Sequence, residues 1–255
     1  MSTQPRRLRD GGLIDRSREL SFSFNGRRLR GYAGDSLASA LLANNVHLVG
    51  RSFKYHRPRG IVGSGAEEPN AVVQLENGAF TQPNLRATQI PLYDGLSASS
   101  QNCWPSVSFD IGAVNNLVSR ILPAGFYYKT FMWPPSKWMS YERLIRKAAG
   151  MGKAPVEPDP DHYAHHYAHC DVLITGGGPT GLAAALAAGR TGARVIIADE
   201  SWKFGGSLLV DRANIDNASA LEWVTQAMAA LADMPEVVVL PRSTVFGYFD
   251  HNFLA

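Results

Sequence analysis

Apolar and polar positions alternate early in the chain. Leu20, Phe22 and Phe24 are separated by serines, the period-two pattern of a half-buried strand. Asn25-Gly26 is a hairpin-turn signal, and Arg28-Leu29-Arg30 resumes the alternation behind it. Ser36 offers an N-cap after Gly34-Asp35. Leu37, Ala40, Leu41 and Ala43 then predict a short amphipathic helix that closes near Asn44-Asn45. Further strands are expected over residues 71–75 and 86–92, with Glu76-Asn77-Gly78 as the turn between them.

A hairpin followed by a helix and more strands predicts a β-grasp domain, the fold of ubiquitin-like proteins and of [2Fe–2S] ferredoxins. In a plant-type ferredoxin the loop after the helix carries the cysteines of the cluster. Here that loop reads Gly50-Arg51-Ser52-Phe53-Lys54-Tyr55-His56-Arg57-Pro58-Arg59-Gly60 and contains none. The expectation is a ferredoxin-like domain without a cluster, whose cations and aromatics serve an intersubunit or cofactor-phosphate contact and not nucleic acid.

Residues 104–150 are rich in aromatics and prolines, which break up long regular elements. A short helix is expected over residues 141–149. The rings between Phe126 and Trp138 call for cover, from the neighbouring domain or from a partner. Three prolines stiffen the linker at residues 153–160. Four of the seven histidines follow at His162, His165, His166 and His169, which a helix would place on one face. A linker running directly into a strand lacks the separate supporting elements of a metal site, so no metal is expected.

Val172, Leu173 and Ile174 form a buried strand, and Gly176-Gly177-Gly178-Pro179-Thr180-Gly181 follows at once. This is G-x-G-x-x-G between a strand and a small-residue helix. A second strand at Val195-Ile196-Ile197-Ala198 runs into Asp199-Glu200. Gly176 permits the turn, Gly178 lets the backbone approach a pyrophosphate, and Gly181 lets helix and strand pack closely. The helix N-terminus offers N–H donors and partial positive charge. Asp199 lies 18 positions beyond Gly181 and Glu200 lies 19. Neighbouring strand residues point to opposite faces, so one of them faces the ribose, and Asp199 is favoured. The acid argues for an unphosphorylated ribose, hence NAD or FAD over NADP. Gly205-Gly206-Ser207 resembles the Gly-Gly of two-dinucleotide flavoproteins and points to FAD. An amphipathic helix over residues 222–232, a strand at Val237-Val238-Val239-Leu240 and a further strand over residues 243–249 complete the pattern. The dinucleotide domain is expected to continue past Ala255, making this an N-terminal portion of a longer polypeptide.

Composition narrows the class. The apolar share of 45% against 18% charged marks a chain able to bury a core. A net charge of +3 implies no general polyanion binding. Two cysteines exclude a disulfide scaffold, a four-cysteine zinc site and a cysteine-ligated cluster, and fit the reducing cytoplasm. No apolar run approaches the roughly 20 residues of a membrane span. Asp10, Asp15 and Glu19 argue against a mitochondrial presequence. The resulting organisation is an arm at 1–19, a β-grasp domain at 20–100, a connecting segment at 101–160 and an incomplete Rossmann-like domain at 161–255.

From about Leu20 onward the chain resembles the α subunits of heterotetrameric sarcosine oxidases. The likeness rests on the 50–60 loop, Ala66-Glu67-Glu68-Pro69-Asn70, Pro123-Ala124-Gly125-Phe126-Tyr127-Tyr128-Lys129-Thr130-Phe131, the glycine loop, and Thr244-Val245-Phe246-Gly247-Tyr248. The resemblance implies oxidative demethylation of sarcosine to glycine, with hydrogen peroxide as product. The one-carbon unit passes to tetrahydrofolate or leaves as formaldehyde. It implies partner β, γ and δ subunits, FAD and the sarcosine site in β, FMN between α and β, and NAD in α. It places no catalytic residue in this portion. NAD is therefore preferred to FAD for the glycine loop, on Gly176, Gly177, Gly178, Pro179, Thr180, Gly181, Asp199, Glu200, Gly205, Gly206 and Ser207. The alternatives are a related amine or opine oxidoreductase, a free-standing flavin- or NAD-dependent enzyme, and a non-catalytic assembly module.

Overall fold

A computed structural model describes residues 4–117, 119–121, 124–125, 131–148, 152–215 and 217–255. The chain divides into two compact units, Met1–Asp161 and His162–Ala255.

The first unit is built on a five-stranded mixed sheet. Strands β1 (Asp15–Phe24) and β2 (Arg27–Ala33) form the expected hairpin, with Phe22 opposite Leu29. Its turn residues Asn25 and Gly26 both have positive φ, 52° and 74°, as a type I′ turn requires. Helix α1 (Leu37–Ala43) follows, and the Ser36 hydroxyl accepts a hydrogen bond from the Ser39 N–H at 3.2 Å. Strands β3 (Val72–Leu75), β4 (Gln82–Arg86) and β5 (Ser97–Ser100) complete the sheet in the order β2-β1-β5-β3-β4. The β1–β5 pair is parallel and the other pairs are antiparallel. One face packs Phe22, Phe24, Val73 and Leu96 against Leu37 and Leu41 of the helix. Each such side chain contributes about 1.5–3 kcal/mol through burial.

Two features differ from the sequence pattern. The strand expected over 86–92 ends at Arg86, and the residues beyond it turn beneath the start of α1. There the Ala87 and Ile90 carbonyls accept from the Ala38 and Leu37 N–H groups, at 2.9 and 2.8 Å. They serve donors that a helix start cannot pair internally. Residues 97–100, three of them serines, carry no strand signature, yet β5 lies between β1 and β3.

The residues before β1 are tied down. The buried Gln4 amide donates to the Arg30 carbonyl at 2.8 Å, and Arg7 grips Asp35 with two hydrogen bonds of 2.7 and 2.6 Å. Asp35 also accepts from the Tyr32 N–H and the Ser39 hydroxyl, so this buried carboxylate is fully engaged.

Beyond the sheet, residues 111–116 and 119–121 form short 3-10 turns, and helix α2 spans Trp138–Ala148. In the aromatic segment Met132 and Trp133 are exposed in the chain by itself, and the Phe131 and Tyr141 rings meet at a tilt of 53° with centroids 5.7 Å apart. Residues 126–130 of that segment, and the expected end of the helix at 149–150, lie outside the described residues.

The second unit is a three-stranded parallel sheet, order β8-β7-β6, from β6 (Val172–Thr175), β7 (Val195–Asp199) and β8 (Val237–Pro241). Helix α3 (Pro179–Gly189) joins β6 to β7, and α4 (Ala220–Ala232) joins β7 to β8. Leu182, Ala185, Ile197, Val224 and Leu231 form the core between helices and sheet. The start of α4 is fixed by a reciprocal pair: the Ser219 hydroxyl accepts from the Glu222 N–H, and the Glu222 carboxylate accepts from the Ser219 N–H. Asp171 and Arg194 pair at 2.7 Å beside the starts of β6 and β7. The hydrogen bonds from Arg194 hold the Asp171 carboxyl down at about 2. The strand expected over 243–249 is confined to Tyr248–Phe249, which pairs only with Phe253–Leu254. Among the described residues no helix is long and apolar enough to cross a membrane.

Candidate dinucleotide site

The second unit brings its site together at the C-terminal ends of β6 and β7. Gly176 leaves β6 with φ of +99°, a conformation that L side chains rarely adopt, and its N–H donates to the Ala198 carbonyl at 2.7 Å. A Cβ on Gly181 would overlap the Gly176 carbonyl oxygen, so glycine at 181 is what lets α3 sit this close to the strand end. A Cβ on Gly177 would overlap the ring of Phe204. A Cβ on Gly178 would meet nothing within 4 Å. Position 178 is therefore open toward the space in front of α3, whereas 177 and 181 are closed by the protein itself. Gly178 is the N-cap of α3 and Pro179 its first residue. Pro179 removes one donor that no helical partner could satisfy, and the remaining first-turn N–H groups, including that of Thr180, face outward from the helix end.

Asp199 closes the other side. One carboxylate oxygen accepts from the Gly177 N–H at 2.5 Å and the other from the Ser201 N–H at 2.7 Å. The acid thus shapes the glycine loop as well as standing at the end of β7. Glu200 is exposed and takes no part in these contacts. The Gly-Gly turn joins the same site: the Gly205 N–H donates to the Gly177 carbonyl at 2.7 Å, and a Cβ on Gly206 would lie 3.0 Å from the Gly178 Cα. Ser207 belongs to the short turn Gly206–Leu209 behind it. Two further contacts carry no motif signature. The Ser243 N–H donates to the Asp199 carbonyl at 2.8 Å, and the Arg242 N–H to the Ser201 carbonyl at 3.1 Å. They bring the end of β8 beside the acid, and only the parallel register Pro241 opposite Asp199 could have revealed them.

The histidine run does not join this site. His162, His165, His166 and His169 are exposed in irregular backbone, so no common helical face exists. Among the described residues no group of three or more His, Cys, Asp or Glu side chains could hold a metal ion.

Two family models match the chain. Residues 17–103 match the 2Fe-2S iron-sulfur cluster binding domain, and residues 171–230 match the FAD dependent oxidoreductase family. The sarcosine oxidase α subunit of Rhizobium meliloti is 58% identical over 247 residues, covering 96% of this chain. This chain is homologous to sarcosine oxidase α subunits. A second such subunit, from a Corynebacterium species, is 35% identical over 94% of the chain. Against these sarcosine oxidase α subunits the chain spans 25% and 20% of the relatives' own length. An opine oxidase component of Rhizobium meliloti is 38% identical over 30% of the chain and 15% of its own length. L-proline dehydrogenase from P. horikoshii shares the fold, with a TM-score of 0.55 and 17% identity over 94% of this chain and 37% of that one.

Proposed function

We propose that the glycine loop holds the adenosine diphosphate half of NAD, in a chain that works as the α component of a sarcosine-oxidising enzyme. The observation that carries this reading is the open approach at Gly178, at the N-terminus of α3, next to the Gly177 N–H that the Asp199 carboxylate holds. The helix end suits a pyrophosphate, and the acid suits a ribose diol. Gly176, Gly177, Gly178, Thr180 and Gly181 would line the phosphates. Asp199 would accept from the ribose hydroxyls while keeping its two backbone donors, since a carboxylate has room for more than two. Glu200 stays outside the site. NAD when bound elsewhere serves as a hydride carrier. Here the residues present would bind and orient its adenosine half.

FAD is the second reading, favoured by the match of residues 171–230 and by Gly205-Gly206 against the loop. Both cofactors share the adenosine diphosphate half, so the loop geometry fits either. Cofactor released from the purified protein and identified by mass spectrometry decides between them, with NAD the expected result. Asp199→Ala is expected to weaken dinucleotide binding by about 1.5–3 kcal/mol, the range for a hydrogen bond to a charged group. Isothermal titration of NAD into the wild-type and variant chains measures it.

The first unit is proposed to be a ferredoxin-like domain that carries no cluster. A [2Fe–2S] cluster of this kind takes four cysteines. Cys103 is the one cysteine within the matched residues 17–103. Burial, and secondarily the Asp110 carboxylate, push its thiol up, against the thiolate that metal binding needs. The purified chain is expected to hold no stoichiometric iron or labile sulfide by colorimetric assay. For the whole enzyme we propose β, γ and δ partners, FAD and FMN associated mainly with β, tetrahydrofolate as one-carbon acceptor, and a cytoplasmic location.

A further inference from the structure

Gly176, Gly177 and Gly178 are consecutive, a pliable backbone that a ligand would have to freeze at an entropic cost. The fold freezes it beforehand at Gly177. The Gly177 N–H donates to the Asp199 carboxylate at 2.5 Å, and the Gly177 carbonyl accepts from the Gly205 N–H at 2.7 Å. Beside its Cα, the Phe204 ring fills the place where a Cβ would stand. Two of these three holds come from the adjacent residues Phe204 and Gly205, so a single turn grips the carbonyl and the Cα together. Gly206 extends the grip to Gly178, whose Cα lies 3.0 Å from where a Gly206 Cβ would be.

The turn is itself fixed. Gly205 and Gly206 have φ of +125° and +54°, conformations that favour glycine. A Cβ on Gly205 would lie 2.8 Å from Leu209 and 3.2 Å from Val224, so side chains close on the turn as well. Phe204 anchors it: the residue is 6% exposed and belongs to the core cluster that includes Leu182, Leu208 and Val224. A ring so enclosed offers a nucleotide no face to stack on, and it reaches a ligand only through Gly177. The identity of residue 177 points the same way. The second place of G-x-G-x-x-G accepts any residue, and the φ of Gly177 lies outside the left-handed region. Neither the fingerprint nor backbone strain asks for glycine there; the Phe204 ring does.

We propose that Phe204 is a positioning residue of the dinucleotide site: by seating Gly177, its ring sets the glycine loop in shape for a pyrophosphate before any ligand arrives. The proposal rests on the reading that this loop holds a dinucleotide. Removing the ring returns backbone freedom to the loop, so affinity falls although no contact with the ligand is lost.

The test titrates ADP, the half that NAD and FAD share, and NAD itself into the full chain and its variants by calorimetry, with a thermal melt of each. Phe204→Ala is expected to weaken binding of both about tenfold. Gly177→Ala is expected to weaken it about 30-fold, because the new methyl runs into the ring and pushes the loop out of shape. In the double variant that methyl enters the space the ring has left. Adding Gly177→Ala to Phe204→Ala is therefore expected to cost less than about threefold more, a coupling of about tenfold between the two positions. A ring that merely fills the core lowers the melting temperature without this coupling. Additive losses overturn the proposal, and so does wild-type affinity in Phe204→Ala. Where Phe204→Ala does not fold, Phe204→Leu keeps an apolar group in the core and enters the same cycle, with the same coupling expected and the same additivity overturning it. A wild-type chain that binds neither ADP nor NAD overturns the reading of the loop and this proposal with it. Wild-type binding with additive losses overturns this proposal alone.

Discussion

Gly178→Val gives a folded chain without dinucleotide. The expected loss in affinity is at least 100-fold, or about 2.7 kcal/mol. The structure separates position 178 from its neighbours: nothing in the protein lies within 4 Å of a Cβ built there. The new side chain therefore costs the fold little, since valine at an extended N-cap with φ of −73° is unstrained. It projects into the space that a pyrophosphate needs. Gly181→Val behaves differently, because its Cβ runs into the Gly176 carbonyl and forces α3 away from β6. Thermal melts of both variants beside NAD titrations distinguish an occluded site from a broken one. Normal cofactor content in Gly178→Val would falsify the assignment of the loop.

The second large effect falls far from the dinucleotide. Glu68 is buried, and its carboxylate accepts four backbone hydrogen bonds, from Val62, Gly63, Asn70 and Ala71, at 2.6 to 3.0 Å. Burial works against the charge, but the four donors outweigh it and hold the carboxyl below its ordinary value. Glu68→Ala strands four N–H groups at once. The expected destabilisation of the first unit is about 3–5 kcal/mol, with Glu68→Gln intermediate because it keeps a single acceptor. Because the folded value is depressed, Glu68 stabilises the unit fully above the unfolded carboxylate range. That contribution is lost as pH falls through the folded value. Urea titrations at neutral and at acidic pH should show the gap between wild type and Glu68→Ala shrinking in acid. A gap that stays constant with pH would mean that the charge plays no part.

Glu68 also shows where sequence reading stops. The string Ala66-Glu67-Glu68-Pro69-Asn70 is distinctive enough to carry a resemblance, yet nothing in it announces a buried anion. Its donors come from the loop on either side and meet only in the folded chain. Elements defined by local rules were legible: the Asn25-Gly26 hairpin, the Ser36 cap and the strand–glycine loop–helix unit each depend on neighbours within a few residues. The contacts of Asp199 with Gly177 and Ser243 were not, because they join segments 22 and 44 positions apart. The strand β5 was hidden for another reason. Serines alternate with nothing, and the strand exists because both neighbours offer paired backbone. Arg7 lies in the arm at 1–19, and its buried partner Asp35 is 28 positions away, beyond the reach of any local pattern.

The place of β5 in the sheet has a consequence for biogenesis. It is the last strand of its sheet to leave the ribosome, yet it is the central one, parallel to β1 and antiparallel to β3. Until residues 97–100 emerge, the nascent chain can hold only two hairpins, β1–β2 and β3–β4, each with an unpaired edge. Isolated hairpins are marginal in water, and such edges invite pairing with other chains. The first unit therefore assembles late and all at once, through a contact spanning more than 70 residues between Ser23 and Ser97. Contacts of that span slow folding, which keeps those strand edges unpaired for longer.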